Sequence, residues 1–182
     1  MKVIRAIPLR DTDADRDAFM NAPPRRRRRK RHGACAIASP TAARSNTLTQ
    51  AAIAALGEAL ADEQSALATY QAAIARYGPV RPFINIARAE ARHIGALLNL
   101  YRRFGLQVPP AASPVNAASL PNSAREMCAR AAEAEIANVA LYDTRLLPSV
   151  AEYEDVRAVM TRLRDASQNN HLPAFQRCAQ RP

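Results

Sequence analysis

Two stretches of this chain repeat one set of side chains that can bind a metal ion. Each opens with a glutamate and a tyrosine seven residues apart, namely Glu63 with Tyr70 and Glu135 with Tyr142. Each is followed by a polar residue and a histidine three residues apart, namely Glu90 with His93 and Gln168 with His171. Because residues three apart share one face of a helix, each later pair can direct two ligand atoms at one point. Two such halves are typical of carboxylate-bridged metal sites in four-helix bundles.

The spacing predicts that these side chains lie in one layer across the bundle. Glu63 lies 15 residues before Gly78 and His93 lies 15 after it, so antiparallel helices bring them to similar heights. In the second half, a longer turn within residues 149–155 is expected to restore the match. The predicted metal ligands are Glu63, Glu90, His93, Glu135, Gln168 and His171.

A bound cation would relieve the repulsion between carboxylates that face one another in an apolar core. Carboxylate together with imidazole suits iron, with manganese as the alternative. Glu63 with His93 and Glu135 with His171 would form two ion positions, and Glu90 would bridge them. Gln168 stands where the repeat predicts a second such glutamate. Since a neutral amide cannot bridge two ions as a carboxylate does, we expect an asymmetric centre of one or two ions.

Several neighbours of the predicted ligands admit two interpretations. Tyr70 and Tyr142 either donate hydrogen bonds to the ligands or simply pack as core aromatics, and packing is the preferred interpretation. Asn138 lies one turn from Glu135 and is expected to donate a hydrogen bond or to add a ligand. Glu133 competes for the helix-three position, but it lies about 200° around the helix from Glu135. The match with the first half favours Glu135.

The composition predicts an all-α fold. Only 5 of the 182 residues are glycine, and the chain is rich in alanine, which is the best helix former. The periodicity of apolar residues predicts helices over about 49–76, 82–104, 123–147 and 152–178. Residues 106–121 contain four prolines, so they predict a long crossover between helices two and three. Pro148 is expected to interrupt helix three, and Pro173 to kink helix four just beyond His171.

The cysteines offer a geometric test of the predicted bundle. Cys128 lies seven residues before Glu135, and Cys178 lies seven after His171, so antiparallel helices carry both sulfur atoms in one direction. The two residues form either a disulfide or two buried free thiols. A disulfide would favour an oxidising compartment.

The first 46 residues differ in character from the remainder. They hold 12 Lys and Arg against 4 Asp, including the basic run from Arg25 to Arg31, whereas residues 47–182 hold 14 against 12 Glu and Asp. The run predicts a disordered tail ahead of the bundle domain, residues 47–182. This segment is a solvated tail or an extension from a misassigned start codon, an arm that binds nucleic acid unspecifically, or a weak export signal. Exported and cytoplasmic locations both stay open, and no membrane span is predicted.

Four segments resemble an uncharacterised bacterial and archaeal family of ferritin-like domains. They are residues 60–63, residues 82–86 with Ala89, Glu90 and His93, and residues 135–143 and 166–175, within a resemblance that covers about residues 48–180. The resemblance implies a ferritin-like fold and a di-iron centre, with no established reaction. Gln168 departs from the ferritin-like pattern, whereas Glu63, Glu90, His93, Glu135 and His171 match it.

The sequence therefore predicts a ferritin-like antiparallel four-helix bundle that binds metal, with iron preferred and ferroxidase or oxidoreductase activity at the carboxylate–histidine site. Two other classes stay open. One is a metal-free structural or interaction bundle, and the other is a nucleic-acid-associated bundle that uses the basic tail. The oligomeric state is left open.

Overall fold

The computed structural model describes residues 47–181, and all regular secondary structure in this range is helical. The predicted all-α bundle is thereby confirmed. The predicted disordered tail, with its basic run from Arg25 to Arg31, lies outside the described residues. No helix within residues 47–181 combines the length and apolar character needed to cross a membrane.

The bundle contains four helical segments, and two of them are interrupted by a single π turn. The first two segments are α1 (Gln50–Tyr77) and α2 (Phe83–Arg103). The third consists of α3 (Ala124–Leu141), a first π turn (Tyr142–Leu146) and α4 (Leu147–Ser149). The fourth consists of α5 (Glu154–Ala166), a second π turn (Ser167–His171) and α6 (Leu172–Ala179). All eight ends of the four predicted helices lie within about two residues of these bounds.

Local sequence signals account for the helix ends. The Thr49 side chain caps the start of α1 by accepting a hydrogen bond from a backbone amide. Gly78 ends α1 with φ of 82°, a left-handed conformation that favours glycine. Ser123 caps α3 by accepting from the Glu126 amide at 3.2 Å. The Glu126 carboxylate accepts from the amide of Asn122, so it satisfies the residue before the cap.

The connection between α2 and α3 carries the chain along the bundle. Its regular structure is one 3₁₀ turn, Ala117–Ser119. The last turn of α1 holds this connection, because Arg76 donates from Nη1 to the Ala117 carbonyl at 2.9 Å. The Tyr77 hydroxyl donates to the Pro121 carbonyl. As a result α3 begins beside the end of α1, and the two helices run antiparallel.

Two apolar clusters fill the bundle, and a polar layer separates them. The first cluster includes Leu56, Leu97, Leu146, Val156 and Met160, each with no exposed surface. The second is built around the rings of Tyr70, Phe83 and Phe175, whose centroids lie 5.1 to 6.2 Å apart. The buried polar residues are Glu63, Glu90, Glu135, Ser167 and His171. Since burying a charged side chain costs free energy unless it is paired, the charges of this layer must be paired or neutralised.

The two π turns accommodate the two prolines of the second half. Each π turn is followed by Leu-Pro, and in each the leucine amide donates to a carbonyl five residues earlier, from Leu147 to Tyr142 and from Leu172 to Ser167. Proline lacks an amide hydrogen and its ring clashes with the carbonyl four residues before it. A wider turn relieves that clash without ending the helix. The predicted interruption at Pro148 is thus a π turn before the proline, and the helix continues to Ser149.

A disulfide joins α3 to α6 inside the second apolar cluster. Cys128 and Cys178 are bonded, with their Cα atoms 5.8 Å apart. The separation falls within the range that a disulfide spans without backbone movement. The bond ties together the two helices that carry Glu135 and, at the end of the second π turn, His171.

Candidate metal centre

Five of the six predicted ligands converge between the two apolar clusters. Glu63 comes from α1, Glu90 and His93 from α2, Glu135 from α3, and His171 from the second π turn. The three glutamates are at most 4% exposed and His171 is 3% exposed. The His93 side chain, at 15%, retains some contact with solvent. The layer therefore draws a side chain from every helical segment, as the sequence spacing requires.

Glu90 lies at the middle of this layer. Its Oε2 is 2.8 Å from Nδ1 of His93, and its Oε1 is 3.1 Å from Nδ1 of His171. The outer carboxylates complete the arrangement, with Glu63 Oε2 3.1 Å from the His93 ring nitrogen and Glu135 Oε2 3.6 Å from that of His171. The two imidazole rings stack with their centroids 5.6 Å apart. One oxygen of Glu90 is thus directed at each half of the site.

Two groups of potential ligands share the Glu90 carboxylate. One group is Glu63, Glu90 and His93, and the other is Glu90, Glu135 and His171. Within each group the ligand atoms lie within 4.8 Å of one another. Atoms at such separations can surround a cation with only small side-chain movements. The geometry can accommodate two ion positions joined by one carboxylate.

The two tyrosines hold the outer carboxylates, and each reaches across to the other half of the repeat. The Tyr70 hydroxyl donates to Glu135 Oε1 at 2.7 Å, and the Tyr142 hydroxyl donates to Glu63 Oε1 at 3.0 Å. The same rings are buried among apolar neighbours, so packing and hydrogen bonding are combined. In both cases the other carboxylate oxygen remains directed towards a histidine. These bonds fix the orientation of the two outer carboxylates.

Burial and neighbouring charged groups strongly shift the pKa of several of these side chains. Burial raises the pKa of Glu63 to about 8, because a buried site favours the neutral, protonated carboxyl over the charged carboxylate. Burial opposes ionisation of Glu90 too, but its close contacts with His171, His93 and Glu63 hold its pKa at about 2. For both histidines burial favours the neutral ring, yet the adjoining carboxylates raise the pKa to about 9. Protons therefore neutralise part of the layer at neutral pH.

One buried atom of the layer lacks a hydrogen-bond partner. Nδ1 of His171 is close to Glu90 Oε1, but no acceptor among the described residues is aligned with it, and the atom has no contact with solvent. A buried nitrogen without an aligned partner is costly. A cation between His171 and the carboxylates would displace the ring proton and bind the lone pair of this nitrogen. Carboxylate oxygens with imidazole nitrogens are a suitable donor set for iron or manganese, so the residues fit such an ion.

Gln168 does not join the layer, which corrects the sequence prediction. Its side chain is exposed, and its amide oxygen accepts from Nη1 of Arg164 at 2.8 Å. Ser167 is buried in its place at 4% exposure. The spacing argument assumed an α-helix, in which residues three apart share a face. The π turn holds more residues per turn, so the residue four before His171 faces the layer instead.

Asn138 contacts a carboxylate that the sequence interpretation did not single out. Its amide nitrogen donates to Oδ2 of Asp62, which adjoins Glu63 and is partly buried. Burial raises the pKa of Asp62, and the Asn138 hydrogen bond opposes that shift. The available signal was the position of Asp62 next to a predicted ligand. Glu133, the rejected alternative to Glu135, is exposed.

A cavity of about 360 Å³ adjoins the layer on the side of α1 and α3. Glu63, Glu90, Glu135 and Ser167 line its inner end. Residues of the crossover line another part of the cavity, including Val115 and Leu120. Small molecules that enter this cavity can therefore approach the carboxylates directly.

No family model matches the chain, and neither the curated proteins nor the solved structures contain a significant match. The functional interpretation consequently depends on the geometry of the carboxylate–histidine layer.

Proposed function

We propose that this chain is a ferritin-like bundle that binds one or two transition-metal ions, with iron preferred and manganese as the alternative. The observation that carries the proposal is the sharing of one buried carboxylate, Glu90, between two groups of ligands. Carboxylates are rarely buried together in this way, because burying a charged carboxylate costs free energy unless a cation or protons neutralise it. The family resemblance in the sequence supports the same interpretation.

Each residue has a distinct part in the proposed site. Glu63 and His93 hold one ion position, Glu135 and His171 hold the other, and Glu90 joins them. A bound iron ion supplies one-electron redox chemistry towards oxygen or peroxide, which is the basis of a ferroxidase or oxidoreductase activity. Tyr70 and Tyr142 orient the outer carboxylates. The apolar clusters on both sides limit the access of water, and the cavity provides the route to the layer.

The exclusion of Gln168 reduces the protein ligands to five side chains. Each position is then supplied by one glutamate, one histidine and the shared Glu90, so both lack the second bridging carboxylate of a site with two such glutamates. Ser167 adds a neutral hydroxyl near the second of these positions. Because the buried Ser167 lies beside one position and the partly exposed His93 belongs to the other, we expect unequal affinities, with mononuclear binding at low metal concentration.

A metal-free structural bundle is the second candidate, and one observation favours it. His93 already bonds Glu63 and Glu90, so that half of the layer is satisfied without an ion. Buried networks of this kind stabilise a fold only when all members are paired. The unaligned nitrogen of His171 counts against this second candidate.

Metal analysis of the full chain tests the proposal. The protein is stripped with a chelator, supplied anaerobically with Fe(II), separated from free metal and analysed for bound iron. We expect about one to two ions per chain, and the Glu90→Gln variant should bind at least about tenfold more weakly. Glu133→Gln, an exposed glutamate on α3, is the matched control and should behave as the wild type. Failure of the wild type to retain iron or manganese would reject the metal proposal in favour of the structural bundle.

A further inference from the structure

The cavity beside the layer has the size of a ligand pocket. Its volume of about 360 Å³ lies within the range of small-molecule sites, about 300 to 1,000 Å³. Two helices and the crossover between α2 and α3 provide its walls. The α1 wall runs from Asp62 to Tyr70, a distance of about 12 Å along the helix axis. A metal ion alone does not need a space this long.

The two ends of the cavity differ in chemistry. The inner end presents the acidic layer, with Asp62, Glu63, Glu90 and Glu135. Further along α3, away from Glu135, Met127 and Ala131 line the cavity together with Val115 and Leu120 of the crossover. The lining also includes the hydroxyl side chains of Ser65, Thr69 and Ser119. The carboxylates disfavour an anionic group at the inner end. The apolar side chains in the other part of the cavity favour contact with hydrocarbon.

Arg130 gives the apolar end a single positive charge. Among residues 47–181 it is the one cationic side chain that lines the cavity, and none of these residues forms an ion pair with it. Its side chain is exposed, so a charged group bound beside it keeps part of its hydration. A guanidinium forms paired hydrogen bonds with a carboxylate. An apolar wall beside an available arginine is suited to a molecule with a carboxylate head and a hydrocarbon chain.

We infer that the cavity binds a medium-chain organic acid, with its carboxylate on Arg130 and its chain extending along the apolar wall towards the carboxylate–histidine layer. This orientation keeps the anionic head away from the acidic end. The inference deepens the proposed function, because it names a substrate class for the same site. Binding itself, however, depends on the cavity and Arg130, and it can be measured with or without metal.

Octanoate is a suitable probe for the full-length protein, in both metal-stripped and metal-loaded forms. Calorimetric titration should give saturable binding, and Arg130→Gln should raise the dissociation constant at least about tenfold. Arg125→Gln is the matched control, since Arg125 is also exposed on α3 but does not line the cavity. Octylammonium has the same chain with the opposite charge and should bind at least about tenfold more weakly than octanoate.

A second pair of variants tests the cavity without removing a charge. Ala134 and Ala137 are both exposed on α3, but only Ala134 lines the cavity. Ala134→Phe should fill the space and abolish octanoate binding, whereas Ala137→Phe should leave it unchanged. Each variant is checked for helical content and for bound metal, so loss of fold or of the ion is recognised separately.

The outcomes separate this inference from the proposed metal function. Octanoate binding that depends on Arg130 in a protein that never retains metal would support the pocket and reject the metal site. Metal retention without saturable octanoate binding would overturn the pocket inference alone. Tighter binding of octylammonium, or equal binding by Arg130→Gln and the wild type, would also overturn it.

Discussion

Among single residues, Glu90 is central to the layer, because both histidines approach its carboxylate. Sequence spacing predicted the position of Glu90 in the layer. It did not show which carboxylates the tyrosine hydroxyl groups would contact. Each tyrosine contacts the glutamate of the opposite half, which follows from the antiparallel packing of α1 and α3. A pattern that is local in sequence cannot distinguish a partner seven residues away from one on another helix.

The hydroxyl groups of these tyrosines should contribute measurably to stability. Tyr70→Phe removes the donor to Glu135 and Tyr142→Phe removes the donor to Glu63, so each leaves a buried acceptor unpaired. We expect each variant to lose about 1 to 3 kcal/mol of unfolding free energy in the metal-free protein. Guanidinium denaturation followed by circular dichroism measures this loss. Tyr101→Phe is the control, since Tyr101 is a largely buried tyrosine whose hydroxyl has no hydrogen bond within the described part of the chain.

The position of Gln168 outside the layer leads to a clear contrast between two neighbouring variants. Gln168→Ala should leave metal content unchanged, because its side chain contacts Arg164 at the surface. His171→Ala should weaken metal binding at least about tenfold. Equal losses in the two variants, measured by metal analysis after gel filtration, would mean that the glutamine does act as a ligand.

Metal binding should strengthen as the pH rises. The pKa of each histidine is raised to about 9 and that of Glu63 to about 8, so all three groups carry protons below those values. Ligation requires their release, so raising the pH removes the competing protons. Between pH 6 and 8 we expect the affinity for Mn(II) to rise about tenfold or more per pH unit. Titrations at fixed ionic strength measure this slope, and a flat profile would contradict it.

At the scale of secondary-structure elements, the helix ends were predictable and the π turns were not. Caps, glycines and apolar periodicity are local signals, and they place the ends of α1 and α2 to within a residue or so of the structure. Pro148 and Pro173 indicated a disturbance in each second-half helix. The sequence did not show whether each helix would end, kink or form a wider π turn at these points, because the outcome depends on how the flanking helices pack. The outcome decides whether Gln168 or Ser167 faces the layer.

The disulfide between α3 and α6 should stabilise the second apolar cluster. It closes a loop with a sequence separation of 50, so replacing both Cys128 and Cys178 with alanine should cost about 2 to 4 kcal/mol of unfolding free energy. Thiol titration of denatured, unreduced protein should detect only Cys35, and reduction should expose all three cysteines. Detection of three thiols before reduction would show that the bond does not form. Cys35→Ala is the control for stability.

At the scale of the whole molecule, the polar layer divides the core and limits its stability in the absence of metal. A ligand that binds only the folded chain stabilises it by mass action. At free metal about a hundredfold above the dissociation constant, we expect a gain of about 2.7 kcal/mol in the wild type. Thermal unfolding with and without Mn(II) measures this gain. Glu90→Gln should show a much smaller shift, and a shift of equal size in both proteins would indicate binding elsewhere.

The sequence by itself determined the all-α class, the helix bounds and the interior placement of five acidic and imidazole side chains. These properties follow from apolar periodicity and from fixed helical spacing, which are set by neighbours along the chain. Only the tertiary structure decided the exchange of Gln168 for Ser167, the crossing of the tyrosines and the cavity beside Arg130. Each of these depends on contacts between segments distant in sequence, where packing selects one backbone geometry among several that the local sequence permits.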